Sequence, residues 1–575
     1  MRSHRLPIFT VLLTLTVADS ASAQTPQLLT VFPPGGQRGK TVEVVSGGRN
    51  LAAVKVLFFS HPGITAQLIS PNRFTVRIAD DVPEGDHDVW AVTATGLSNP
   101  RRFVVSGLPE VAEKEKNDTL ETAQAVPVPV VINGTLDPAA DRDHYRFELT
   151  RGQHVSIAFR SETLEGTARP ALTVFAEDGR ELLHDDGRQA EPVLEFEASA
   201  DGAYVVRVEE RAYRLGVTNF YRLTLLTGPR LVAAFPDLLQ KGKAQPVTLY
   251  GYELPGGKPA GARFPRGMHQ VAVTIAAPPT GDADGGGWTT SSAVFLDGFR
   301  YRHPGVQGSV RLGLTERAVS VATDQAHDVP ARAQPVTLPC AVAGRFLRPR
   351  QVDWYRFTAK KGQALWIEAV GERTGKAMDL DLAIHDAAGQ LLQTLSDTVH
   401  PTVLPASCPL DTLDPMGVWV VPADGDYLLA LRDLYGMVGV ERTYRLALGQ
   451  RQEEVCVVAV GGLSLTPGSS ADLPLVAVRR LGQEAPIRIR TGALPAGVEI
   501  AEVVIPAKQY TGVLTVKVAK DAPPWVGKLP LVAETVIDGK PRTLPVVALM
   551  LVREGKPPLL RRCEAVVGAV VGAKP

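Results

Sequence analysis

The chain repeats itself, and this duplication restricts its fold more than any other feature of the sequence. Residues 134–159 and 344–369 align without a gap at an offset of 210. The shared positions are Gly134/Gly344, Asp143/Asp353, Tyr145/Tyr355, Arg146/Arg356, Phe147/Phe357, Gly152/Gly362, Gln153/Gln363 and Ile157/Ile367. Self-similarity over such a span indicates two copies of one domain.

A second pair of segments repeats between these copies. Residues 26–51 and 229–254 align at an offset of 203 with ten of 26 positions identical. The chain is therefore organised as a two-domain unit, the same unit again, and a final segment. Beyond residue 200 the first repeat continues at an offset of 223, so the second copy carries an insertion of 13 residues. We place the insertion within residues 397–417, which include Cys408.

The residue pattern predicts β-strands throughout. Tyr145, Phe147 and Leu149 alternate with polar residues, and Val155, Ile157 and Phe159 repeat the alternation after a Gly-containing turn, which predicts a hairpin. Residues 514–519 alternate in the same way. Gly (53) and Pro (45) are abundant, as expected for many tight turns. The sequence predicts an all-β protein, a string of five β-sandwich domains.

The start of the chain predicts export. Arg2, His4 and Arg5 precede an apolar stretch, and the small residues 21–23 fit a signal-peptidase site before Gln24. The alternative, a membrane anchor, is disfavoured because a span needs about 20 apolar residues. No later segment is apolar enough to span, so we expect a periplasmic, cell-surface or extracellular protein.

The predicted domains follow from the repeats and the signal peptide. The first 23 residues are the signal peptide. The expected domains are residues 24–108, 109–228, 229–330, 331–450 and 451–560, followed by a tail at 561–575.

Charge and motifs exclude several function classes. Lys+Arg and Asp+Glu both number 61, so the chain lacks the basic excess that nucleic-acid binding requires. It contains neither the H-E-x-x-H pattern of zinc proteases nor the G-x-S-x-G elbow of serine hydrolases. We therefore expect a protein that binds rather than catalyses.

The cysteines and tryptophans each leave two interpretations. Export permits disulfides, and Cys340–Cys408 and Cys456–Cys563 would each join residues of one domain, but three connectivities exist and buried thiols are the alternative. Four tryptophans are candidate carbohydrate-stacking platforms, with packing under a neighbouring domain as the alternative. They are Trp288, Trp354, Trp366 and Trp419.

The repeated segments resemble known modules. The second domain of each unit resembles the bacterial pre-peptidase C-terminal (PPC) domain, on the motifs Glu115-x-Asn117-Asp118, Asp141-x-Asp143-x-Tyr145 and Asp201-Gly202-x-Tyr204. The first domain of each unit resembles TIG/IPT immunoglobulin-like domains, and the final segment is generically immunoglobulin-like. Such strings are typical of secreted planctomycete-type proteins. The resemblance implies non-catalytic appendages of exported proteins.

An acidic segment precedes the first PPC-like domain. Glu113, Glu115, Asn117 and Asp118 offer four oxygen-bearing side chains, which suit Ca²⁺. Asp141 and Asp143 lie near the start of a predicted strand, where they could complete the shell. The segment also resembles the calcium-binding linker of bacterial collagenase collagen-binding domains. The alternative is a solvated acidic linker. The second copy lacks the acidic segment and has Gln351 in place of Asp141, so we expect no metal there.

These observations predict a non-catalytic exported binding, adhesion or scaffold protein stabilised by one Ca²⁺. Its expected partner is an extracellular protein or polysaccharide of unknown identity. The alternative function is an accessory or targeting subunit of a separately encoded secreted hydrolase.

Overall fold

The computed structural model describes most of the chain. The described residues are 25–51, 54–137, 141–187, 191–211, 216–282, 290–323, 327–399, 408, 410–450, 453–553 and 559–572. The expected signal peptide and Trp288 lie outside them. Short 3₁₀ turns are the only helical elements among the described residues, and all other regular elements are strands. The prediction of an all-β protein built from sandwich domains is confirmed. No helix within the described ranges is long and apolar enough to cross a membrane.

The first domain consists of two facing sheets. Its strands are β1 Gln27–Phe32, β2 Gly35–Gln37, β3 Thr41–Arg49, β4 Val56–Phe59, β5 Ile64–Ser70, β6 Arg73–Ile78, β7 Gly85–Thr93, β8 Gly96–Leu97 and β9 Arg101–Ser106. One sheet has the order β1-β3-β6-β5, and the other has the order β2-β9-β7-β4 with β8 beside β7. Phe74 and Phe103, both fully buried, lie in the core between them.

The second domain is a sandwich of two five-stranded sheets. Its strands are β10 Glu110–Ala112, β11 Gln124–Ala125, β12 Val130–Thr135, β13 Arg142–Leu149, β14 His154–Arg160, β15 Pro170–Ala176, β16 Glu181–Asp185, β17 Val193–Glu197, β18 Gly202–Glu210 and β19 Phe220–Thr227, with a 3₁₀ turn at Glu162–Leu164. The sheet orders are β10-β12-β19-β14-β17 and β11-β13-β18-β15-β16.

The third domain again has two sheets. Its strands are β20 Arg230–Phe235, β21 Leu238–Gln240, β22 Ala244–Tyr252, β23 Lys258–Pro259, β24 Met268–Ala276, β25 Gly298–Tyr301 and β26 Val310–Thr315, with a 3₁₀ turn at Ser291–Phe295. The orders are β20-β22-β24-β23 and β21-β26-β25. The β1–β3 and β20–β22 ladders carry a bulge at equivalent places, after Leu28 and after Leu231.

The fourth domain reproduces the second. Its strands are β27 Val319–Val321, β28 Gln334–Pro335, β29 Cys340–Arg345, β30 Val352–Ala359, β31 Ala364–Val370, β32 Leu380–Asp386, β33 Leu391–Leu395, β34 Met416–Val420, β35 Gly425–Asp433 and β36 Thr443–Gln450, with 3₁₀ turns at Pro330–Arg332 and Glu372–Thr374. The orders β27-β29-β36-β31-β34 and β28-β30-β35-β32-β33 match those of the second domain strand for strand. Strand β27 pairs with β29, so residues 319–321 belong to this sandwich.

The last domain contains the largest sheet. Its strands are β37 Glu454–Val460, β38 Leu463–Leu465, β39 Ser470–Arg480, β40 Ile487–Thr491, β41 Val498–Ile500, β42 Val503–Ile505, β43 Thr511–Val518, β44 Trp525–Leu529, β45 Leu531–Ile537, β46 Lys540–Arg553, β47 Leu559–Cys563 and β48 Val566–Val570. The large sheet has the order β41-β43-β39-β37-β46-β45-β40-β42, with β47 beside β46, and β38-β48-β44 form the small one. Residues 561–570, the start of the expected tail, thus lie in β47 and β48.

The alternating pattern behaves as expected on each strand, but the predicted hairpin is wrong. Tyr145, Phe147 and Leu149 are buried while Arg146 and Glu148 are exposed. However, β13 pairs with β18, and β14 pairs with β17 and β19 in the opposite sheet. The turn at Gly152 therefore crosses between the sheets. Alternation places one face in the core in either arrangement, so it does not reveal which sheet a strand joins.

The string of domains folds back so that the last domain contacts the first. Trp90, Val92 and Leu97 of the first domain belong to the hydrophobic core of the last. The Leu97 amide donates a hydrogen bond to Ser464 Oγ (2.8 Å). Arg101 Nη1 donates to the Val552 carbonyl (2.5 Å). Residues of all five domains line a common cavity near this contact.

The four cysteines are buried free thiols. Cys340 lies in the core of the fourth domain, and Cys563 lies in the core of the last. Cys408, from the insertion, packs in the same apolar cluster as Cys456 and Val294. The insertion therefore helps to join the third, fourth and last domains. Neither of the pairings considered from the sequence is formed.

Candidate metal centre

The acidic segment runs along the edge of the second domain. Strand β10 pairs in parallel with β12, and this brings Glu113 over the end of that strand, where its amide donates to the Asn133 carbonyl (3.0 Å). Further along, the Asn117 carbonyl accepts a hydrogen bond from the His144 amide (3.0 Å) on β13. The segment is thus fixed at both ends to the sandwich.

Three of the predicted ligands meet at this edge. The carboxylate oxygens of Glu113, Glu115 and Asp143 include atoms that all lie within 4.8 Å of one another. Asp143 is fully buried, Glu113 is half-buried and Glu115 is exposed. A cluster of three carboxylates graded from interior to solvent can hold a hard cation that enters from the surface.

Asn117 is the second observation that points to a ligand. Its side chain has no solvent exposure, and neither its Oδ1 nor its Nδ2 has a hydrogen-bond partner within the protein. Asp143 Oδ1 is likewise buried and without a partner. Leaving such a group unsatisfied costs about 1–3 kcal/mol, so buried polar atoms in folded proteins rarely remain alone. Both oxygens therefore remain available as ligands.

The other two predicted residues occupy different positions. Asp141 is buried, and its two oxygens accept hydrogen bonds from the amides of Asp137 (2.9 Å) and Arg142 (2.8 Å). Asp118 is exposed. Both residues lie close enough for their charges to act on the cluster, but they are outside the group whose oxygens meet.

The charges at this edge repel one another. Burial, together with the neighbouring Glu113, raises the pKa of the Asp143 carboxyl well above its usual range. Burial and Glu113 also raise the pKa of Glu115, and burial raises that of Asp141. Carboxyl groups packed this closely do not all ionise unless a positive charge joins them.

Two buried tyrosine hydroxyls contact the carboxylate cluster. The sequence pattern alone did not predict that these tyrosines belong to the site. The Tyr221 hydroxyl donates to Asp143 Oδ2 (2.7 Å) and accepts from the Tyr145 hydroxyl (2.5 Å), whose oxygen lies 3.3 Å from Glu113 Oε1. Gly134 makes room for this arrangement, because a Cβ there would come 2.4 Å from the Tyr221 ring. The signal was present in the duplication, since Gly134, Tyr145 and Tyr221 all recur in the second copy.

The second copy provides an internal comparison. The Tyr444 hydroxyl donates to Asp353 Oδ2 and contacts the Tyr355 hydroxyl, as in the first copy. The other oxygen, Asp353 Oδ1, accepts a hydrogen bond from Gln351 Nε2 (2.8 Å) and lies 3.3 Å from His327 Nε2.

His327 occupies the position of Asn117. Its carbonyl accepts a hydrogen bond from the Trp354 amide (2.8 Å), as the Asn117 carbonyl does from His144. The second copy thus places a protein donor and an imidazole where the first copy places Asp141 and Asn117. The equivalent oxygen of Asp143 has neither of these neighbours as a hydrogen-bond partner.

The described tryptophans are not the exposed stacking platforms that carbohydrate binding would require. Trp419 is buried in the core of the fourth domain, and Trp366 is buried beneath Arg480 of the last domain, 5.0 Å from its guanidinium carbon. Trp354 is half-buried and packs 5.0 Å from the His385 ring. Packing therefore accounts for Trp366 and Trp419.

Comparison with known proteins identifies one family. Residues 141–210, which span β13 to β18, match the model of the bacterial pre-peptidase C-terminal domain. No curated protein matches the chain significantly.

Solved structures give only distant similarities. One is the pre-peptidase C-terminal domain of a collagenase from Bacillus anthracis, 18% identical, with a TM-score of 0.16, covering 20% of this chain and 96% of that one. Another is a protein from Eubacterium rectale that is proposed to be secreted. It is 8% identical, with a TM-score of 0.16, and the match covers 59% of this chain and 84% of that one.

Proposed function

We propose that this chain is a non-catalytic exported scaffold or binding protein in which Ca²⁺ fastens the acidic segment to the second domain. The observations that carry the calcium site are the meeting of the Glu113, Glu115 and Asp143 carboxylates and the buried, partnerless side chain of Asn117, two residues along the chain from Glu115. Asp118 and Asp141 add negative charge next to it. Oxygen ligands of this kind favour Ca²⁺ over transition metals.

The cation would act as a structural clamp. The acidic segment links the first domain to the second, where the short parallel strand β10 and the backbone hydrogen bonds of Glu113 and Asn117 hold it to the sandwich. A ligand that binds the folded chain alone stabilises it by about 2.7 kcal/mol at 100 times its Kd. Calcium would thus couple the stability of this junction to the ion concentration outside the cell.

The calcium site is tested by titration calorimetry and thermal melting of the full chain, with CaCl₂ and with chelator. We expect one equivalent of Ca²⁺ to bind and to raise the melting temperature. Asp143→Asn removes a charge but keeps the shape, and it should abolish both effects. Asp353→Asn is the matched control at the equivalent place in the second copy, and it should leave calcium binding intact. A wild-type chain that neither binds Ca²⁺ nor changes its melting temperature would refute the site.

The non-catalytic role has a separate test. A panel of peptidase and glycosidase substrates incubated with the purified chain should show no turnover, with or without calcium. Turnover that survives repurification would contradict the proposal. A pull-down from native envelope or culture medium should recover an extracellular protein or polysaccharide.

The match to a domain named for peptidases favours one alternative, an accessory subunit of a separate secreted hydrolase. In that case the same pull-down would recover a protease or glycosidase in stoichiometric amount.

A further inference from the structure

A cavity lies at the junction of the domains, well away from the acidic segment. Its volume is about 510 Å³, within the ~300–1,000 Å³ common for small-molecule sites. All five domains contribute to its wall. The lining includes Asp86, Arg102, Arg160, Arg300, Arg311 and Arg561.

The acidic groups of this wall already have partners. Asp86 accepts from Arg102 (2.7 Å) and from Arg160 (3.0 Å). Glu165 pairs with Arg561 (2.7 Å). Glu191 accepts hydrogen bonds from the amide of residue 161 and from both the amide and the hydroxyl of Thr163. Among the described residues, none of these carboxylates forms a direct ion pair with Arg311 of the third domain.

Arg311 is the surplus cation. Within the part of the chain that the structure describes, its guanidinium forms no ion pair or hydrogen bond, and its side chain is open to water in the cavity. It stands directly opposite Arg300 in the β25–β26 ladder. Like charges directly opposite on a ladder are destabilising.

The surroundings increase this cost. The enclosing protein, together with the neighbouring Arg300, Arg102 and Arg160, lowers the pKa of Arg311 to about 10, although the charge of Asp86 opposes this shift. The group nevertheless remains a cation at neutral pH. The Asp86 carboxylate acts on all four of these guanidiniums but pairs directly with Arg102 and Arg160, so a further anion beside Arg311 would stabilise the arrangement.

We propose that this cavity binds a small ligand through a carboxylate, sulfate or phosphate group held by Arg311. A guanidinium presents two parallel N–H donors that match the two oxygens of such a group, and the site has room for a molecule of the size of a single sugar acid. Ligand binding in this cavity does not depend on the calcium site. It extends the proposed function by naming the chemical class of a ligand.

Calorimetric titration of the full chain tests the proposal. The probes are sodium glucuronate, sodium sulfate and sodium phosphate, each against sodium chloride at the same ionic strength, with glucose as the neutral analogue. We expect one-to-one binding of at least one oxyanion and none of glucose. Tighter binding of glucuronate would assign the site to sugar acids, and tighter binding of sulfate or phosphate would assign it to the free anion.

The variants make the test specific, because sulfate stabilises many proteins without binding a site. Arg311→Gln should weaken binding at least tenfold. Arg266→Gln, at an arginine whose side chain is 92% exposed, should leave it unchanged. Without any oxyanion, Arg311→Gln should melt at or above the wild-type temperature, since it relieves the repulsion with Arg300. Equal affinity of wild type and Arg311→Gln, or no binding of any oxyanion at millimolar concentration, would overturn the proposal.

Discussion

The two copies of the duplicated domain solve one residue-scale problem in two ways. Each buries an aspartate, Asp143 or Asp353, against a pair of tyrosine hydroxyls. An ionised carboxylate in the interior is costly unless it is hydrogen-bonded and its charge is compensated. In the second copy the neighbours of that carboxylate include Gln351, which donates a hydrogen bond to it, and the imidazole of His327 at 3.3 Å. In the first copy the neighbours are further oxygen atoms, which is why we propose a cation there.

The role of His327 predicts a pH-dependent variant. Burial raises the pKa of Asp353, and His327 opposes this shift. A carboxyl whose pKa is raised on folding contributes stability below its unfolded value of about 3.9, and loses it as pH rises through the folded value. Without His327 the pKa of Asp353 rises further, so we expect His327→Ala to lose about 1–3 kcal/mol of stability near pH 7 and less near pH 4.5.

Thermal or urea melts at the two pH values measure the difference. The double variant His327→Ala/Asp353→Asn is the control, because it has no buried carboxylate to titrate. Its stability relative to the wild type should change less between the two pH values. An equal loss for His327→Ala at both would contradict the expectation.

At the scale of elements, one acidic residue organises the crossing between β31 and β32. Asp414 is fully buried and accepts hydrogen bonds from the amides of Gly371 (2.8 Å), Glu372 (2.8 Å) and Arg373 (3.1 Å). It also pairs with the buried Arg373 side chain (2.9 Å). Glu191 binds the equivalent turn of the first copy, but among the described residues it forms no direct ion pair with an arginine. Asp414 thus occupies the position that Glu191 holds in the first copy.

Asp414→Ala should therefore be strongly destabilising. It leaves Arg373 buried with Glu368 as its remaining carboxylate partner and removes the acceptor for three amides. Loss of one partner from a buried pair costs about 3–5 kcal/mol. Glu191→Ala is the matched control and should cost less, since it uncovers no buried charge. Calorimetric unfolding of the three proteins compares these losses, and equal losses would show that Arg373 does not set the difference.

Much of this element-scale organisation could be predicted from the sequence, and some of it could not. The gapless repeat predicted that two domains share one topology, and alternation predicted the buried faces of β13 and β14. The same alternation suggested a hairpin where the chain changes sheets, because periodicity reports burial and not pairing. The acidic segment was visible, but the burial of Asn117 depends on contacts from β13. The substitution of His327 for Asn117 became informative only once both were placed against equivalent strands.

At the scale of the whole molecule, one arginine of the last domain forms ion pairs with both the first and the second domain. Arg561 lies 2.5 Å from Asp88 of the first domain and 2.7 Å from Glu165 of the second. All three side chains are buried. The sequence could not predict this junction, since its residues are scattered over the chain and meet only through domain packing.

Arg561→Met tests the junction. It keeps an apolar stem of similar length but leaves Asp88 and Glu165 without this cation, so we expect a loss of about 3–5 kcal/mol. Lys528→Met, in the same domain, removes an exposed pair with Glu564 (2.9 Å) and should cost no more than about 1 kcal/mol. Small-angle X-ray scattering should show a larger radius of gyration for Arg561→Met alone. An unchanged radius and melting temperature would mean that the junction does not depend on Arg561.

The contact between the first and last domains also determines how the molecule would respond to mechanical force. Tension applied between these two domains acts first on the shared apolar cluster of Trp90, Val92 and Leu97 and on the Arg561 pairs. The covalent chain through the three intervening domains would bear the full tension only after that contact opens. Rupture of the contact would then release the intervening length of chain. We therefore expect the interface to break under force before the sandwich domains unfold.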